Sequence, residues 1–333
     1  MSLFRRRPTE DGHGLAALTD EELRRRYRDI DAAVAADGDP QARAAELDQL
    51  AEEVLRRDPA DAAFWYDRGM YAKWRSDWRA CVEYNETALA LLPPDGLEGE
   101  PAAWNLAIAA TALGEWARAR RAWSAFGVPL PPTDQPDTPV DADFGLAPVR
   151  LNPEPRFVGQ QHVVVDGRSW ATEVVWGQRL CPARVRIVNV PSPESGHRFG
   201  DVVLHDGDTL GTRRLGEHEV GVFNEIGLWQ RCPTPTLTVA LHAPDQAALK
   251  ELSELFTGAG GAAEDWGSTL RMLCKACSEG SPGAHHDHDA ASTWSPGRQV
   301  GVSAEPEAAG ALLQKWAEAG PGRSVEDLEV ALR

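Results

Sequence analysis

Two cysteines and two histidines in the last quarter of the chain have types and spacing that suit a metal ion. Cys274 and Cys277 form a Cys-x-x-Cys pair, and His285 and His288 follow after a segment rich in Gly, Pro and Ser. Two thiolates and two imidazoles are a common tetrahedral ligand set for Zn²⁺, and a site closed by four protein ligands is typically structural. The sequence therefore predicts a structural zinc site within residues 274–288.

The same residues also have two simpler interpretations. A lone Cys-x-x-Cys pair can be a redox dithiol, or it can be two core thiols beside a solvated, histidine-rich loop. Haem attachment would need a histidine directly after the second cysteine, and Ser278 occupies that position. The zinc, redox and free-thiol interpretations stay open at this point.

The sequence shows no catalytic constellation. Asp143-Phe144-Gly145 spells the kinase metal triplet, but neither the glycine-rich loop nor the catalytic loop of kinases accompanies it. The glycine-rich segment 258–261 follows a predicted helix, whereas a dinucleotide loop follows a strand. Glu173, Glu219 and Glu225 lie in or near predicted strands, in no pairing that assigns acid and base roles. We assign no catalytic residue, and the sequence favours a protein that is not an enzyme.

Charge and cysteine content restrict the possible partners and the compartment. A formal net charge of -17 repels phosphate backbones and anionic lipids, so neither nucleic acid nor membrane is an expected partner. The basic residues Arg5–Arg7 are not followed by the apolar stretch of a signal peptide, and no run of about 18 apolar residues occurs. Five cysteines, an odd and sparse set, then favour reduced thiols in the cytoplasm.

The hydrophobic pattern divides the 333 residues into segments that must position these side chains. Residues 1–17 are predicted to be a disordered tail, residues 18–132 carry helical periodicity, and residues 133–155 form a Pro-rich linker. Residues 156–333 change to a period of two. The chain is therefore predicted to be multidomain, with an all-α N-terminal domain and a C-terminal α+β domain that contains an antiparallel sheet.

Turn signals and alternation give a coarse map of the C-terminal domain. Asp166-Gly167 between two alternating segments is the strongest hairpin signal, and Asp206-Gly207 indicates a second turn. The pattern further predicts strands at 183–190, 201–205, 218–223 and 236–242, and helices at 244–256, 304–318 and 324–332.

Two prolines in the helical region indicate a repeat. Pro59 and Pro93 lie 34 residues apart, and each ends a predicted helix with an apolar face. Between them, Gly69 occupies the small position where two helices would cross, and Cys81 and Ala88 occupy the small positions of the second helix. In period and in these positions, the segment resembles the tetratricopeptide repeat family.

A second, less regular copy follows at an offset of 38 residues, because residues 97–100 lengthen the connection. Leu106, Ala107 and Ala110 fill its first helix, Ala119 fills its small position, and Trp123 fills its aromatic position. Before the first copy, only one helix fits the pattern. The resemblance thus covers about two and a half repeats within residues 19–132.

The resemblance implies a groove lined by the first helix of each pair, and hence an adaptor or scaffold that binds a protein or peptide segment. The predicted groove is aromatic and apolar with one cation, and its residues are Tyr66, Met70, Lys73, Trp74, Trp104 and Ile108. The linker or the C-terminal domain could instead cover this groove. Two further hypotheses are an enzyme in the β-rich domain with the repeats as a targeting arm, and an acidic neutralising partner of a toxin.

The zinc hypothesis makes a quantitative prediction. Protein purified without chelators should carry about one zinc per chain, and acidification should release it because the ligands must be deprotonated. Cys274→Ser and His285→Ala should each lower the zinc content measured by elemental analysis, while the neighbouring His286→Ala should change it little. Zinc-free protein with an unchanged melting curve would contradict the hypothesis.

Overall fold

The structure is a computed structural model that describes residues 12–37, 40–93, 96–153, 172–266 and 294–333. The chain divides into two compact units, one made mainly of the residues up to Val140 and the other mainly of those from Asp141 onward. The first unit is helical and the second is rich in strands. The predicted layout of an α-helical part followed by a β-rich part is thus confirmed at this level.

Helices make up the first unit, and local sequence signals explain where several of them begin. Glu22 accepts a hydrogen bond from the Thr19 backbone N–H, and the Thr19 hydroxyl accepts one from the Glu22 N–H, which is a capping box. Asp61 and Asp77 use their carboxylates to cap the helices that begin at Ala62 and Trp78. The helices are α1 (Gly12–Leu15), α2 (Asp20–Asp37), α3 (Pro40–Arg57), α4 (Ala62–Trp74), α5 (Trp78–Ala90), α6 (Pro101–Ala112) and α7 (Trp116–Phe126).

From α2 onward, each helix of this unit packs against the next one along the chain. The connections from α4 to α5 and from α6 to α7 are three residues long, which forces each pair into a helical hairpin. Apolar residues of α2, α3 and α4 share one core, which includes Leu23, Leu47, Leu50, Val54, Phe64 and Tyr71. The unit is therefore a row of hairpins that bury their apolar faces against one another.

The crossing of α4 and α5 depends on a glycine. A Cβ atom at Gly69 would overlap the side chain of Asn85, which is fully buried on α5. The Asn85 amide donates a hydrogen bond to the backbone oxygen of Cys81 at 2.7 Å and cannot move without breaking it. A side chain larger than hydrogen at position 69 would push the two helices apart.

The second unit begins with a closed barrel of five strands in the order β1-β2-β3-β4-β5. Neighbouring strands are antiparallel, except that β1 and β5 close the barrel as a parallel pair. The strands are β1 (Leu146–Leu151), β2 (Glu173–Cys181), β3 (Arg184–Ile187), β4 (Val202–Leu215) and β5 (His218–Gln230). Their buried side chains fill the barrel with Val149, Leu151, Val175, Val185, Ile187 and Val203.

Two features of the barrel correct the sequence analysis. Strand β1 lies in the range 133–155 that was predicted as a linker, where Pro148 weakened the strand signal. The turn predicted at Asp206-Gly207 is an irregularity within the continuous strand β4, since the pairing with β5 shifts between His205 and Thr209. The backbone φ of 87° at Gly207 fits such a bulge.

The rest of the second unit is a four-stranded antiparallel sheet in the order β7-β8-β6-β9, with two helices packed on it. The elements are β6 (Thr236–His242), α8 (Gln246–Gly258), β7 (Ala262–Asp265), β8 (Gly297–Ser303), α9 (Pro306–Glu318) and β9 (Ser324–Leu332). This β-α-β-β-α-β connectivity is that of the split βαβ, or ferredoxin-like, arrangement. Residues 267–293, which include all four predicted zinc ligands, connect β7 to β8 and lie outside the described residues.

The helix predicted at 324–332 is wrong, because these residues form strand β9. The partner of β9 is β6, and their register shifts so that Leu241 faces Val325 whereas Ala240 faces Asp327. The extra residue separates Val325 from the next core-facing residue, Leu328, by three positions. A spacing of three is typical of a helix, so the bulge produced a false helical signal.

The border between the two units, at Val140 and Asp141, lies inside the range 133–155 that was predicted as a linker. Residues 133–140 belong to the helical unit, where Arg120 of α7 donates hydrogen bonds to the backbone oxygens of Thr138 and Pro139. The hairpin predicted around Asp166-Gly167 lies outside the described residues.

Among the helices that the structure describes, none is long and apolar enough to cross a membrane.

The helix crossing generates a stability prediction. Gly69→Ala should lower the free energy of unfolding by about 1–3 kcal/mol, because the new methyl group must displace the buried Asn85 side chain. Gly310→Ala in α9 is the control, since open space surrounds a Cβ at that position. The control should be neutral or stabilising by up to about 1 kcal/mol. Denaturant unfolding followed by circular dichroism measures both, and equal effects of the two variants would contradict the prediction.

Candidate functional site

The structure places the six predicted groove residues in two classes. Tyr66, Met70 and Trp74 on α4 and Trp104 on α6 are half-buried, and each keeps some exposure to solvent. Lys73 and Ile108 are buried, so neither of them lies on an open surface in this structure.

Lys73 is an internal cation. Its side chain is 9% exposed, and its ammonium group donates a hydrogen bond to the Asn105 side-chain oxygen at 2.8 Å. A buried ammonium group is costly unless it is hydrogen-bonded, and this bond ties α4 to α6. Lys73 therefore holds two helices together.

Ile108 is fully buried because α6 is buried on nearly all sides. Nine of the twelve residues of α6 are buried, and Trp104 packs its ring 4.8 Å from Trp123 and 4.9 Å from Phe126. The sequence contains a signal for this burial: α6 has no charged residue, and a helix that lacks a polar face is expected in a core.

What remains accessible is a strip on α4, which we call the α4 aromatic face and define by Tyr66, Met70 and Trp74. Met70 and Trp74 pack partly against the core shared by α2, α3 and α4, and the Trp74 ring lies 5.5 Å from that of Tyr71. The α4 aromatic face is therefore held in place by the core while its outer part stays exposed.

A buried hydrogen-bond group behind this face joins α4 to α2. The Tyr27 hydroxyl donates to the Asp67 carboxylate at 2.7 Å and lies 2.8 Å from the Tyr71 hydroxyl. Burial raises the pKa of Asp67 to about 6, although the bond from Tyr27 opposes the rise. Buried polar groups with satisfied bonds define one arrangement of the two helices.

The barrel contains a buried charge network that the sequence analysis did not find. The His197 ring lies with Nε2 3.1 Å from a Glu225 carboxylate oxygen and with Nδ1 3.6 Å from an Asp201 carboxylate oxygen. His197 is 3% exposed, and both acids are buried. The same Glu225 oxygen accepts a hydrogen bond from the Asn152 backbone N–H at 3.0 Å. The network thus joins the end of β1, strand β5 and the segment before β4.

Electrostatics make His197 a cation at neutral pH. Burial alone would lower its pKa, but the carboxylates of Glu225 and Asp201 raise the pKa to about 9. Asp201 also accepts hydrogen bonds from the Arg231 side chain and from the backbone N–H groups of Arg198 and Cys232. The contacts with Glu225, Arg231 and Cys232 fix the segment 192–201 to β5 and the residues that follow it, and the bond from Arg198 braces the segment internally, which indicates a structural role.

Two glutamates, one on β2 and one on β7, accept hydrogen bonds from the backbone of the loop at residues 189–192. Glu173 of β2 accepts a hydrogen bond from the Ser192 N–H at 3.0 Å, and Glu264 of β7 accepts one from the Val190 N–H at 2.8 Å. Trp266 donates its indole N–H to the Val190 oxygen at 2.9 Å. Burial, chiefly, and the neighbouring Glu264 raise the pKa of Glu173 to about 7. The loop therefore links the barrel to strand β7 of the sheet.

The remaining predicted sites receive no support from the described residues. Among them, no group of three or more His, Cys, Asp or Glu side chains could hold a metal ion. The predicted ligands Cys274, Cys277, His285 and His288 all lie outside the described ranges, so the zinc site stays a prediction.

No family model, no curated protein and no solved structure matches this chain.

The His197 network predicts a pH dependence of stability. A histidine whose pKa is about 9 in the folded chain and 6.5 in the unfolded chain contributes fully below pH 6.5, and the contribution is lost as pH rises through 9. Between pH 7.5 and pH 10 the loss should be about 2 kcal/mol.

Denaturant unfolding at the two pH values measures this loss. His197→Gln should remove it from the pH profile, whereas His218→Gln, at the exposed end of the β4–β5 hairpin, should keep the profile of the unaltered protein. Identical profiles for His197→Gln and the unaltered protein would contradict the assignment.

Proposed function

We propose that this chain is a protein-binding adaptor, and that its helical unit is a tetratricopeptide-like array that holds a partner segment on the α4 aromatic face. The observation that carries the proposal is the combination of stacked helical hairpins with a strip of aromatic and apolar side chains that is fixed at its base and exposed at its edge. Stacked hairpins of this kind present extended binding surfaces.

The positions of small residues support the repeat assignment. Gly69, Cys81, Ala88 and Ala119 occupy the small positions of the resemblance, and all four are buried. At the α4–α5 crossing no side chain larger than hydrogen fits at residue 69. Small residues at helix crossings let the backbones approach closely, which is the packing that a repeat of this type requires.

The chemistry of the strip indicates the kind of partner. Tyr66, Met70 and Trp74 offer a phenol, a thioether and an indole, which suit an apolar helix or extended segment rather than a carboxylate terminus. Aromatic anchors of this type often dominate the binding free energy. The burial of Lys73 removes the one cation of the predicted groove, so the partner segment should need no negative charge there.

An enzymatic role has less support. Glu173 and Glu264 are partly buried carboxylates with raised pKa values, which is a feature of acid–base sites. Both carboxylates, however, accept hydrogen bonds from the backbone of the 189–192 loop, and this contact explains their burial. We therefore propose a non-enzymatic protein. Its odd, sparse set of cysteines favours the cytoplasm as its compartment.

The adaptor proposal is tested by crosslinking in the cells from which the protein comes. A photo-crosslinking phenylalanine analogue at position 66 should give a covalent adduct with one partner protein. The same analogue at Leu91, an apolar residue exposed outside the α4 aromatic face, should not give that adduct. With the partner identified, Trp74→Ala should weaken binding about 30-fold, equivalent to 2 kcal/mol.

Two results would contradict the proposal. One is the same set of adducts from positions 66 and 91, which would indicate random collision. The other is an unchanged affinity of the Trp74→Ala protein with its helical circular dichroism intact.

A further inference from the structure

Strand β9 is one edge of the four-stranded sheet in the second unit, and the two edges of this sheet differ. At the other edge, β7 has only four residues, and Glu264 and the following Trp266 bond to the barrel loop at residues 189–192. Strand β9 has nine residues, and among the described residues its backbone pairs only with β6. A long edge strand presents backbone N–H and C=O groups that can pair with another chain.

The apolar side chains of β9 also lack a neighbour on the outer side of the strand. Val325, Leu328 and Val330 pack against the core between the sheet and its helices, yet all three are only half-buried. The core-facing side chains of β6, which has a strand on each side, are at most 1% exposed. A further strand beside β9 would cover the remaining apolar surface.

The opposite face of β9 carries negative charge. Asp327 and Glu329 flank Leu328 in the strand, so their side chains point to the sheet face away from the helices. Both acids are exposed, and neither forms an ion pair with another described residue. Their cross-strand neighbours on β6 are Ala240 and Thr238, which carry no charge.

The basic residues nearest to β9 do not neutralise these two acids. Arg323, which precedes the strand, bonds to Glu251. Arg333, which follows the strand, has no ion pair within the described part of the chain, and Lys315 belongs to α9 on the other face of the sheet. Glu326 is a third exposed acid of β9. The free backbone edge therefore lies beside an excess of negative charge.

The register of β9 limits where a further strand could pair. Its pairing with β6 shifts near both ends, whereas residues 327–330 pair with β6 without irregularity. This regular stretch contains both Asp327 and Glu329. Pairing of two copies of β9 would bring their acids together, and like charges on neighbouring strands are destabilising. The edge is thus better suited to a strand of opposite charge than to a second copy of this chain.

We propose that the edge of β9 binds an extended segment of a partner protein in which basic and apolar residues alternate. The segment adds a fifth strand to the sheet, and backbone hydrogen bonds supply affinity in this mode of recognition. Its basic side chains lie beside Asp327 and Glu329, and its apolar side chains lie beside Leu328 on the other face. Opposite charges on neighbouring strands stabilise such a pair. This surface belongs to the second unit and does not depend on the α4 aromatic face.

The test uses the full chain and three fluorescent peptides of eight residues. The first peptide alternates arginine and valine, and the second has glutamine in place of each arginine. The third keeps the first sequence but carries a methyl group on every backbone nitrogen, which preserves the charge and removes the N–H donors. By fluorescence anisotropy, the first should bind about tenfold more tightly than the third and about fivefold more tightly than the second.

Variants and hydrogen–deuterium exchange locate the interaction. The first peptide should slow amide exchange in β9 and leave α4 unchanged. The double variant Asp327→Asn with Glu329→Gln should weaken binding about fivefold. The matched control is Glu217→Gln with Glu254→Gln, which removes two exposed acids from the same unit, at the β4–β5 turn and on α8, and it should leave the affinity unchanged.

Four results would overturn the proposal. Equal binding of the first and third peptides, or no binding of the first, would show that no strand is added. Equal effects of the two double variants would indicate general attraction to an acidic surface. Slower exchange in α4 in place of β9, with loss of binding in Trp74→Ala, would place the peptide on the α4 aromatic face. A dimer of the protein alone that protects β9 would assign the edge to a second copy.

Discussion

The close approach of α4 and α5 at Gly69 is the constraint on which the helical unit depends. With only a hydrogen atom on Gly69, α4 can press against the buried Asn85 of α5. The other sides of α4 then reach their own partners: Asp67 bonds to Tyr27 of α2, and Lys73 bonds to Asn105 of α6. One central helix thereby sets the positions of its neighbours.

This central position also explains why α4 carries the proposed binding surface. A helix that packs against α2, α3, α5 and α6 has only narrow strips left for solvent. One of these strips is the α4 aromatic face. Because Met70 and Trp74 already pack partly against the core, a partner bound there would restrict little additional side-chain motion.

Parts of this arrangement could be predicted from the sequence and others could not. The small residues and the spacing of Pro59 and Pro93 are local signals, and they correctly indicated helices that cross closely. The burial of Ile108 is a tertiary effect, although the absence of charge on α6 was a signal for it. Closure of the barrel pairs Val149 with Phe223, far apart in sequence, and no local pattern encodes such a contact. The bulge in β9 places two core-facing residues three positions apart, as in a helix, which explains the wrong helix prediction at 324–332.

The buried ions of the second unit could not be predicted from the sequence either, because His197 and Glu225 come together only when the barrel forms.

In the helical unit, α4 is the helix that determines the positions of the others. Hydrogen–deuterium exchange of the intact protein tests this directly, because exchange rates report local opening. Amides of α4 should exchange more slowly than those of α2 and α3, and Gly69→Ala should speed exchange in α2, α5 and α6 together. Faster exchange in α4 than in its neighbours, or an effect of Gly69→Ala confined to α4, would contradict the account.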